Sequence, residues 1–218
     1  SVVSYEYPTF FKEDGTKDDH HYATKITKEG YNGSLVTNTY EYFIGTKENG
    51  GTYSKKIITT INGIKTSTEY DEICSNPIQI SRGNHTTNFK YNNRCLLIEK
   101  TSTKGDSIYM KYHPTSEKIT YVKNGVGTYE FTYDENLNLT YVEKDKEDWV
   151  QLAYNEKGKI VTMTDGSTTS EKGRTLTFEY NKLGKPIKIV LKDVGEINVV
   201  YNNSGEIERV ESESGHKM

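Results

Sequence analysis

Residues 152–159 read LAYNEKGK, and a close copy, FEYNKLGK, occupies residues 178–185. In both, a tyrosine is followed by asparagine, and a glycine and a lysine close the stretch. Similar stretches surround five more tyrosines: TEYDEI, FKYNNR, MKYHPT, FTYDEN and VVYNNSGE. A context that returns along the chain indicates an array of small, similar structural units.

The spacing of these tyrosines is nearly constant, with intervals of 21, 21, 21, 21, 26 and 21 residues. We attribute the single long interval to extra loop residues within Thr164–Thr175. The repeat therefore governs the fold, and we call its seven tyrosines the anchors: Tyr70, Tyr91, Tyr112, Tyr133, Tyr154, Tyr180 and Tyr201.

Each repeat has the pattern of a β-hairpin. Before an anchor, apolar and polar residues alternate, as in Ile108, Met110 and Tyr112 around Lys111. This period of two is typical of a strand with one apolar face. Asp or Asn follows the anchor in six of seven copies, and three copies place glycine four residues after it, which predicts a tight turn. A second strand then follows, for example around Leu139 and Tyr141.

The chain before the repeats has a related but less regular pattern. Lys56–Ile61 and Ile64–Tyr70 flank Asn62-Gly63, which predicts a hairpin with a type I′ turn. Tyr31-Asn32-Gly33 indicates another turn, and Asn38–Phe43 resembles a degenerate anchor strand. We therefore predict one domain, residues 1–218, with irregular strands over 1–65 and seven hairpin repeats over 66–212.

These strands predict an all-β, antiparallel hairpin-repeat meander. The seven copies supply about 14 strands, and sheets of more than about 10 strands curl or split. We expect a soluble barrel or half-barrel with the aromatic face inward. A membrane porin needs an apolar outer face, whereas here one face carries Lys, Glu, Thr and Asn.

Composition excludes several functional classes. Apolar residues make up 33% and aromatic residues 11%, and the net charge is −3, which is too small for a charge-extended disordered chain. Positive and negative residues are interspersed, so no basic face for nucleic acid and no lipid-surface patch is expected. No apolar run is long enough for a transmembrane helix.

The anchor stretches resemble the YD (RHS-type) repeat, most closely at residues 154–159 and 180–185. The resemblance covers roughly residues 66–212. It departs from the pattern where glycine is replaced, at Cys74, Cys95, Ser116 and Leu137. YD/RHS proteins are large shells that enclose toxin domains, and this chain is too short to enclose one.

The chain is also similar to a family of secreted gut-bacterial lipoproteins with a porin-like fold and unknown function. That resemblance implies a periplasmic or surface protein, with a lipid anchor lost together with its signal peptide. The start at Ser1 agrees with a trimmed form. No activity is implied.

Cys74 and Cys95 are the two cysteines, and each lies four residues after an anchor. Regular hairpins would place them about 10 Å apart, which opposes a disulfide. An exported chain with irregular turns favours the bond. A structural disulfide and two separate thiols both remain open.

Asp18-Asp19-His20-His21 is the one cluster that resembles metal ligands. Adjacent histidines point to opposite sides of an extended chain, so a solvated segment is the simpler interpretation and an ion site the alternative. No motif indicates a cofactor, a catalytic nucleophile or a nucleotide site.

The tyrosines have two interpretations. The anchors are expected to be structural, each burying its ring and bonding its hydroxyl to backbone. Aromatic residues outside the anchor set are better candidates for ligand contact, namely Trp149, Tyr109 and Tyr40. Tyr109 and Trp149 also fall outside the inward register.

We predict a non-catalytic, extracytoplasmic binding or scaffold protein whose ligand is unknown. Its partner would be a glycan, a peptide or another envelope protein. One alternative is a glycan- or envelope-directed hydrolase with acids at the mouth of the roll. The other is a structural shell element like those of YD/RHS proteins.

Overall fold

A computed structural model describes residues 3–11, 15, 17–18, 22–29 and 34–213. These residues form twenty β-strands and no helix, so the prediction of an all-β, antiparallel meander is confirmed. None of them forms a helix with the length and apolarity that crossing a membrane requires. The chain divides into two compact units, residues 1–109 and 110–218. The single-domain boundaries drawn from the sequence stay a prediction.

In the first unit, β1 pairs with β4, and from β4 each strand pairs antiparallel with the next, whereas β2 and β3 pair separately. The last strand, β11, begins in this unit and ends in the second. The strands are β1 (Val3–Glu6), β2 (Phe10–Phe11), β3 (Lys17–Asp18), β4 (Lys25–Glu29), β5 (Leu35–Thr46), β6 (Thr52–Ile61), β7 (Ile64–Tyr70), β8 (Pro77–Arg82), β9 (His85–Tyr91), β10 (Leu97–Ser102) and β11 (Ser107–Tyr112).

In the second unit, each strand from β12 onward also pairs antiparallel with its successor. These strands are β12 (Ile119–Asn124), β13 (Gly127–Tyr133), β14 (Leu139–Lys144), β15 (Asp148–Tyr154), β16 (Ile160–Ser167), β17 (Ser170–Tyr180), β18 (Pro186–Leu191), β19 (Gly195–Tyr201) and β20 (Ile207–Ser212).

Two turns illustrate how the local sequence sets the hairpins. Asn62 and Gly63 both have positive φ, 49° and 76°, and Ile61 pairs with Ile64, which confirms the predicted type I′ turn. The turn predicted at Tyr31-Asn32-Gly33 lies outside the described residues.

The insertion in the long repeat is a strand extension and not the loop that the sequence predicts. Residues 164–175 extend β16 and β17, and Ser167 pairs with Ser170 across a two-residue turn. Threonines favour extended backbone, and Arg174 pairs with Asp165 across the extension.

A β-bulge accompanies most anchors and decides which side chains share a face. Tyr133 pairs with Leu139, whereas Thr132 pairs with Tyr141, so one extra residue enters β14 between them. Because such an insertion reverses the alternation, Tyr141 joins the face of Thr132. Spacing alone would place Leu139 and Tyr141 on the same face.

No hydrophobic side chain among the described residues is fully buried. All seven anchors are half-buried. The strands are therefore held by backbone ladders and by contacts between neighbouring side chains on one face.

Candidate functional site

The anchors make a repeated hydrogen bond. In five copies the tyrosine hydroxyl donates to the carbonyl of the first residue of the preceding strand. The pairs are Tyr91 to Pro77 (2.8 Å), Tyr133 to Ile119 (2.7 Å), Tyr154 to Leu139 (2.7 Å), Tyr180 to Ile160 (2.6 Å) and Tyr201 to Pro186 (2.9 Å). We call this set the tyrosine ladder.

The ladder connects consecutive repeats. Pro77 accepts from Tyr91 and is also the cross-strand partner of Tyr70. Likewise, Leu139 accepts from Tyr154 and pairs with Tyr133. The first residue of such a strand is thus held by two anchors, one on each side, which fixes where the strand begins.

Burial raises the pKa of Tyr91, Tyr112, Tyr133 and Tyr154, and Asp71 adds to the shift at Tyr91 and Asp134 to that at Tyr154. Placing a phenol in a partly apolar environment disfavours the phenolate. These four anchors therefore remain neutral phenols at ordinary pH.

Tyr42, from the degenerate anchor strand, has the same role before the repeats begin. Its hydroxyl donates to the carbonyl of Ala23 at 3.2 Å. Its ring stacks on Tyr22, with centroids 4.7 Å apart, and on Tyr40 at 6.4 Å. Tyr40, a candidate ligand contact, is therefore half-buried in an aromatic stack on the face that carries the anchors.

The loops after the anchors share one design. In the shorter form, the Asx backbone N–H donates to the carbonyl four residues on, as from Asn155 to Lys159. The Asn155 side-chain oxygen also accepts hydrogen bonds from the backbone N–H groups of Lys157 and Lys159. Cys95 and Leu137 adopt the left-handed conformation, with φ of 60° and 61°, where Gly158 has 71°. Replacing glycine therefore does not change the turn in these copies.

Two loops are one residue longer. Asp71 N–H donates to the carbonyl of Asn76, and His113 N–H donates to that of Lys118. In the first of these, Ser75 has the positive φ (55°) instead of Cys74. Loop length, rather than the missing glycine alone, thus distinguishes these two copies.

Cys74 and Cys95 form a disulfide in the structure, with their Cα atoms 5.4 Å apart. This distance is shorter than the regular spacing of about 10 Å, and the two loops that carry the cysteines differ in length by one residue. The side-chain amide of Asn76 also reaches the carbonyl of Cys95, at 3.4 Å.

Trp149 lies in β15 on the face opposite Tyr154, between Glu143 of β14 and Gly166 of β16. A Cβ atom on Gly166 would lie 2.4 Å from the Trp149 ring, so the ring covers this glycine. Cross-strand aromatic residues commonly protect strand glycines in this way. Trp149 also stacks with Tyr141, with centroids 6.2 Å apart.

Tyr109 has a different environment. It lies in the first unit, opposite Glu99 of β10, and is 40% exposed. Tyr109 and Tyr40 are the two candidate ligand contacts of the first unit, and their rings do not contact each other. These two residues therefore do not form one site.

A small acidic recess adjoins Trp149 and Tyr141. It has a volume of about 180 Å³ and is lined by Thr128, Glu130, Glu143, Asp145 and Lys146. Glu130 and Glu143 are direct cross-strand partners. The Tyr141 hydroxyl donates to Glu143 at 3.3 Å, and burial, followed by the charge of Glu143, raises the pKa of Tyr141.

The sequence alone does not single out a pair of acidic residues. The pairing register of β13 and β14 identifies Glu130 and Glu143 as such a pair. Glu130 and Glu143 face each other because β13 and β14 are joined by a five-residue loop with a bulge at Tyr133. The sequence signal that could have identified this pair is the position of the two glutamates on the two strands of one hairpin. The recess is smaller than the roughly 300–1,000 Å³ typical of ligand pockets.

Larger recesses occur in the first unit. One of about 520 Å³ is lined by Phe43, Tyr53, Tyr70 and a Lys56–Glu69 ion pair of 3.0 Å, among others. Another, of about 550 Å³, lies beside the disulfide. Across the described residues, no group of three or more His, Cys, Asp or Glu side chains is arranged to hold a metal ion. Residues 19–21 of the predicted ion cluster lie outside those described.

No protein-family model and no curated protein matches the chain. Among solved structures, it is similar to a chain of the Tc holotoxin pore of Photorhabdus luminescens, with a TM-score of 0.54 and 11% identity. That match covers 94% of this chain and 12% of the toxin chain. A crystal structure of TcdB2-TccC3-TEV gives a TM-score of 0.48, with 10% identity over 94% of this chain and 14% of the other. The chain thus spans about an eighth of the Tc holotoxin chain and shares the fold of that part.

Proposed function

We propose that this chain is a non-catalytic, extracytoplasmic scaffold, built like a section of a YD/RHS-type shell wall. The observation that carries the proposal is the tyrosine ladder, in which anchors tie consecutive strands together at a fixed register. Such a device gives a sheet defined strand positions without a large hydrophobic core.

The fold similarity supports this proposal. Nearly the whole chain matches part of a much longer toxin chain. A chain of this length is too short to enclose a cargo by itself, which favours a section of wall over a complete shell. The Cys74–Cys95 disulfide supports a location outside the cytoplasm, where such bonds persist.

The porin-like lipoprotein family that the chain resembles, and the lipid anchor that this resemblance implies, belong to the same proposal. They predict a lipid-modified cysteine ahead of residue 1 in the precursor. Intact mass measurement of the protein taken from its native membrane fraction tests this, and an unlipidated mass there contradicts it.

The acidic recess favours a second candidate, a glycan- or envelope-directed hydrolase. Glycosidases use two carboxyl groups, one of them held in an apolar environment that keeps it protonated. Here Glu130 is exposed, and the recess is small for a sugar ring and its neighbours. We therefore prefer the scaffold.

Turnover assays distinguish the two functions. The purified chain would be incubated with peptidoglycan and a panel of chromogenic glycosides and esters, beside Glu130→Gln and Glu143→Gln. Glu135→Gln, at an exposed loop position of the same unit, is the matched control. The scaffold predicts no turnover in any of the four proteins. Turnover that both recess variants lose and the control keeps would establish the hydrolase instead.

A further inference from the structure

The recess beside the disulfide is bordered by both of the loops that the bond joins. Ile73 and Cys74 of the first loop and Asn92 of the second line it, over a floor that includes Phe89 and Ile98. Its volume is about 550 Å³. The bond therefore sets how far apart the two loops stand above this floor.

Each of the two loops is also folded by its own hydrogen bonds. Asp71 accepts from the N–H groups of Ile73 and Cys74, at 2.9 and 2.6 Å. Asn92 accepts from Arg94 and Leu96, at 2.9 and 3.0 Å. The loop after Tyr133, at residues 134–138, keeps the same Asx turn without any cross-link.

A hydrogen bond that accompanies the disulfide between the two loops is weak. The side-chain amide of Asn76 donates to the carbonyl of Cys95 at 3.4 Å, which is at the long end for a hydrogen bond. At the tip of the first loop, Ile73 is 83% exposed, so little apolar burial holds that tip down. Of these two links between the loops, the disulfide is therefore the stronger, and it is covalent.

We propose that the Cys74–Cys95 disulfide is a reducible latch over this recess. Its reduction uncouples the two loops and widens the recess, while the strands keep their register. The strand ladders and the Asx turns also form in the unlinked repeats, so reduction leaves them in place, but the freed loops open their turns more often than the linked ones.

The chemistry is thiol–disulfide exchange with a dithiol reductant. One reductant thiolate attacks a cysteine sulfur, the S–S bond breaks and a mixed disulfide forms. The second reductant thiol then displaces the protein sulfur and closes its own disulfide. Two electrons and two protons have passed to Cys74 and Cys95, and the reductant is oxidised.

The test compares oxidised protein with protein reduced by dithiothreitol, and mass measurement after alkylation verifies two free thiols. Hydrogen exchange is followed at the amides of residues 73–75, and the matched loop is 113–118, which has the same length and no cross-link. We expect protection at 73–75 to fall about tenfold on reduction, with less than about a twofold change at 113–118 and in the strands. Fluorescence of anilinonaphthalene sulfonate should rise as the apolar floor becomes accessible.

A Cys74→Ser/Cys95→Ser variant should match the reduced protein and be insensitive to dithiothreitol. Unchanged exchange at 73–75 after complete reduction would overturn the latch. Loss of protection throughout β7–β10 would also overturn the latch, because the disulfide would then stabilise the whole first unit and not only the two loops.

Discussion

The hydroxyl of Tyr133 donates a 2.7 Å hydrogen bond to the carbonyl of Ile119, fourteen residues earlier in the chain. On its other side, Tyr133 pairs with Leu139 across a β-bulge. Tyr133 thus links its own strand, β13, to both neighbouring strands, β12 and β14. Because the same arrangement recurs along the repeat, it offers the most direct targets for mutation.

Truncation of an anchor should cost more than truncation of an aromatic residue outside the ladder. Tyr133→Ala removes a half-buried ring and its hydrogen bond, and should lower the free energy of unfolding by about 2–3 kcal/mol. Tyr109→Ala, at a 40% exposed position, should cost less than about 1 kcal/mol. Urea unfolding of both variants measures the difference, and equal losses would mean that the two faces are wrongly assigned.

The loop glycines should matter through backbone conformation alone. Gly158 has a φ of 71°, and a Cβ atom added there would meet open space, so Gly158→Ala introduces strain without a clash. We expect a loss of about 1 kcal/mol. Gly125→Ala, also in open space but without positive φ, should change stability by less than about 0.5 kcal/mol. A comparable loss at Gly125 in thermal unfolding would argue against this explanation.

Gly166→Ala should displace the single tryptophan. The new methyl group would lie 2.4 Å from the Trp149 ring, which must move away from β16. We expect a red shift of the tryptophan emission and a loss of about 1–2 kcal/mol from overpacking. Gly125→Ala in the same unit is the control and should leave the emission unchanged. An unshifted spectrum for Gly166→Ala would show that Trp149 does not cover this glycine.

Alkaline pH should weaken the ladder. Burial raises the pKa of Tyr133 and Tyr154 in the folded chain above the value of about 10 in the unfolded chain. The folded state therefore favours the neutral phenol, and this contribution is complete below pH about 10 and is lost as the pH rises through the folded pKa. Urea unfolding from neutral to alkaline pH should show the decline. A Tyr133→Phe/Tyr154→Phe variant should decline less steeply, and an identical pH dependence would contradict the assignment.

The periodic part of the fold could be predicted from the sequence because it depends on local pattern. Alternation before each anchor sets the strand faces, and Asx residues set the turns, so the meander followed from residues such as Ile108, Met110 and Tyr112. The type I′ turn at Asn62-Gly63 followed in the same way.

What the sequence did not predict depends on register. The bulge at Tyr133 moves Tyr141 to the opposite face, beside Trp149 and Glu143, and a bulge leaves no clear mark in the alternation. The polar residues that extend β16 and β17 are typical of a loop, yet they pair as strands. The approach of Cys74 to Cys95 occurs where the loop after Tyr70 is one residue longer, and the constant spacing of 21 residues conceals that difference.

The anchor hydroxyls, and not only their rings, hold the strands in register. Tyr133→Phe and Tyr129→Phe test this most directly, because both residues lie on the same face of β13 and are half-buried. Tyr133 donates to Ile119, whereas the Tyr129 hydroxyl has no hydrogen-bond partner among the described residues. In urea unfolding, we predict a loss of about 1 kcal/mol for Tyr133→Phe and less than about 0.5 kcal/mol for Tyr129→Phe. Equal effects of the two substitutions would contradict a role for the anchor hydroxyl.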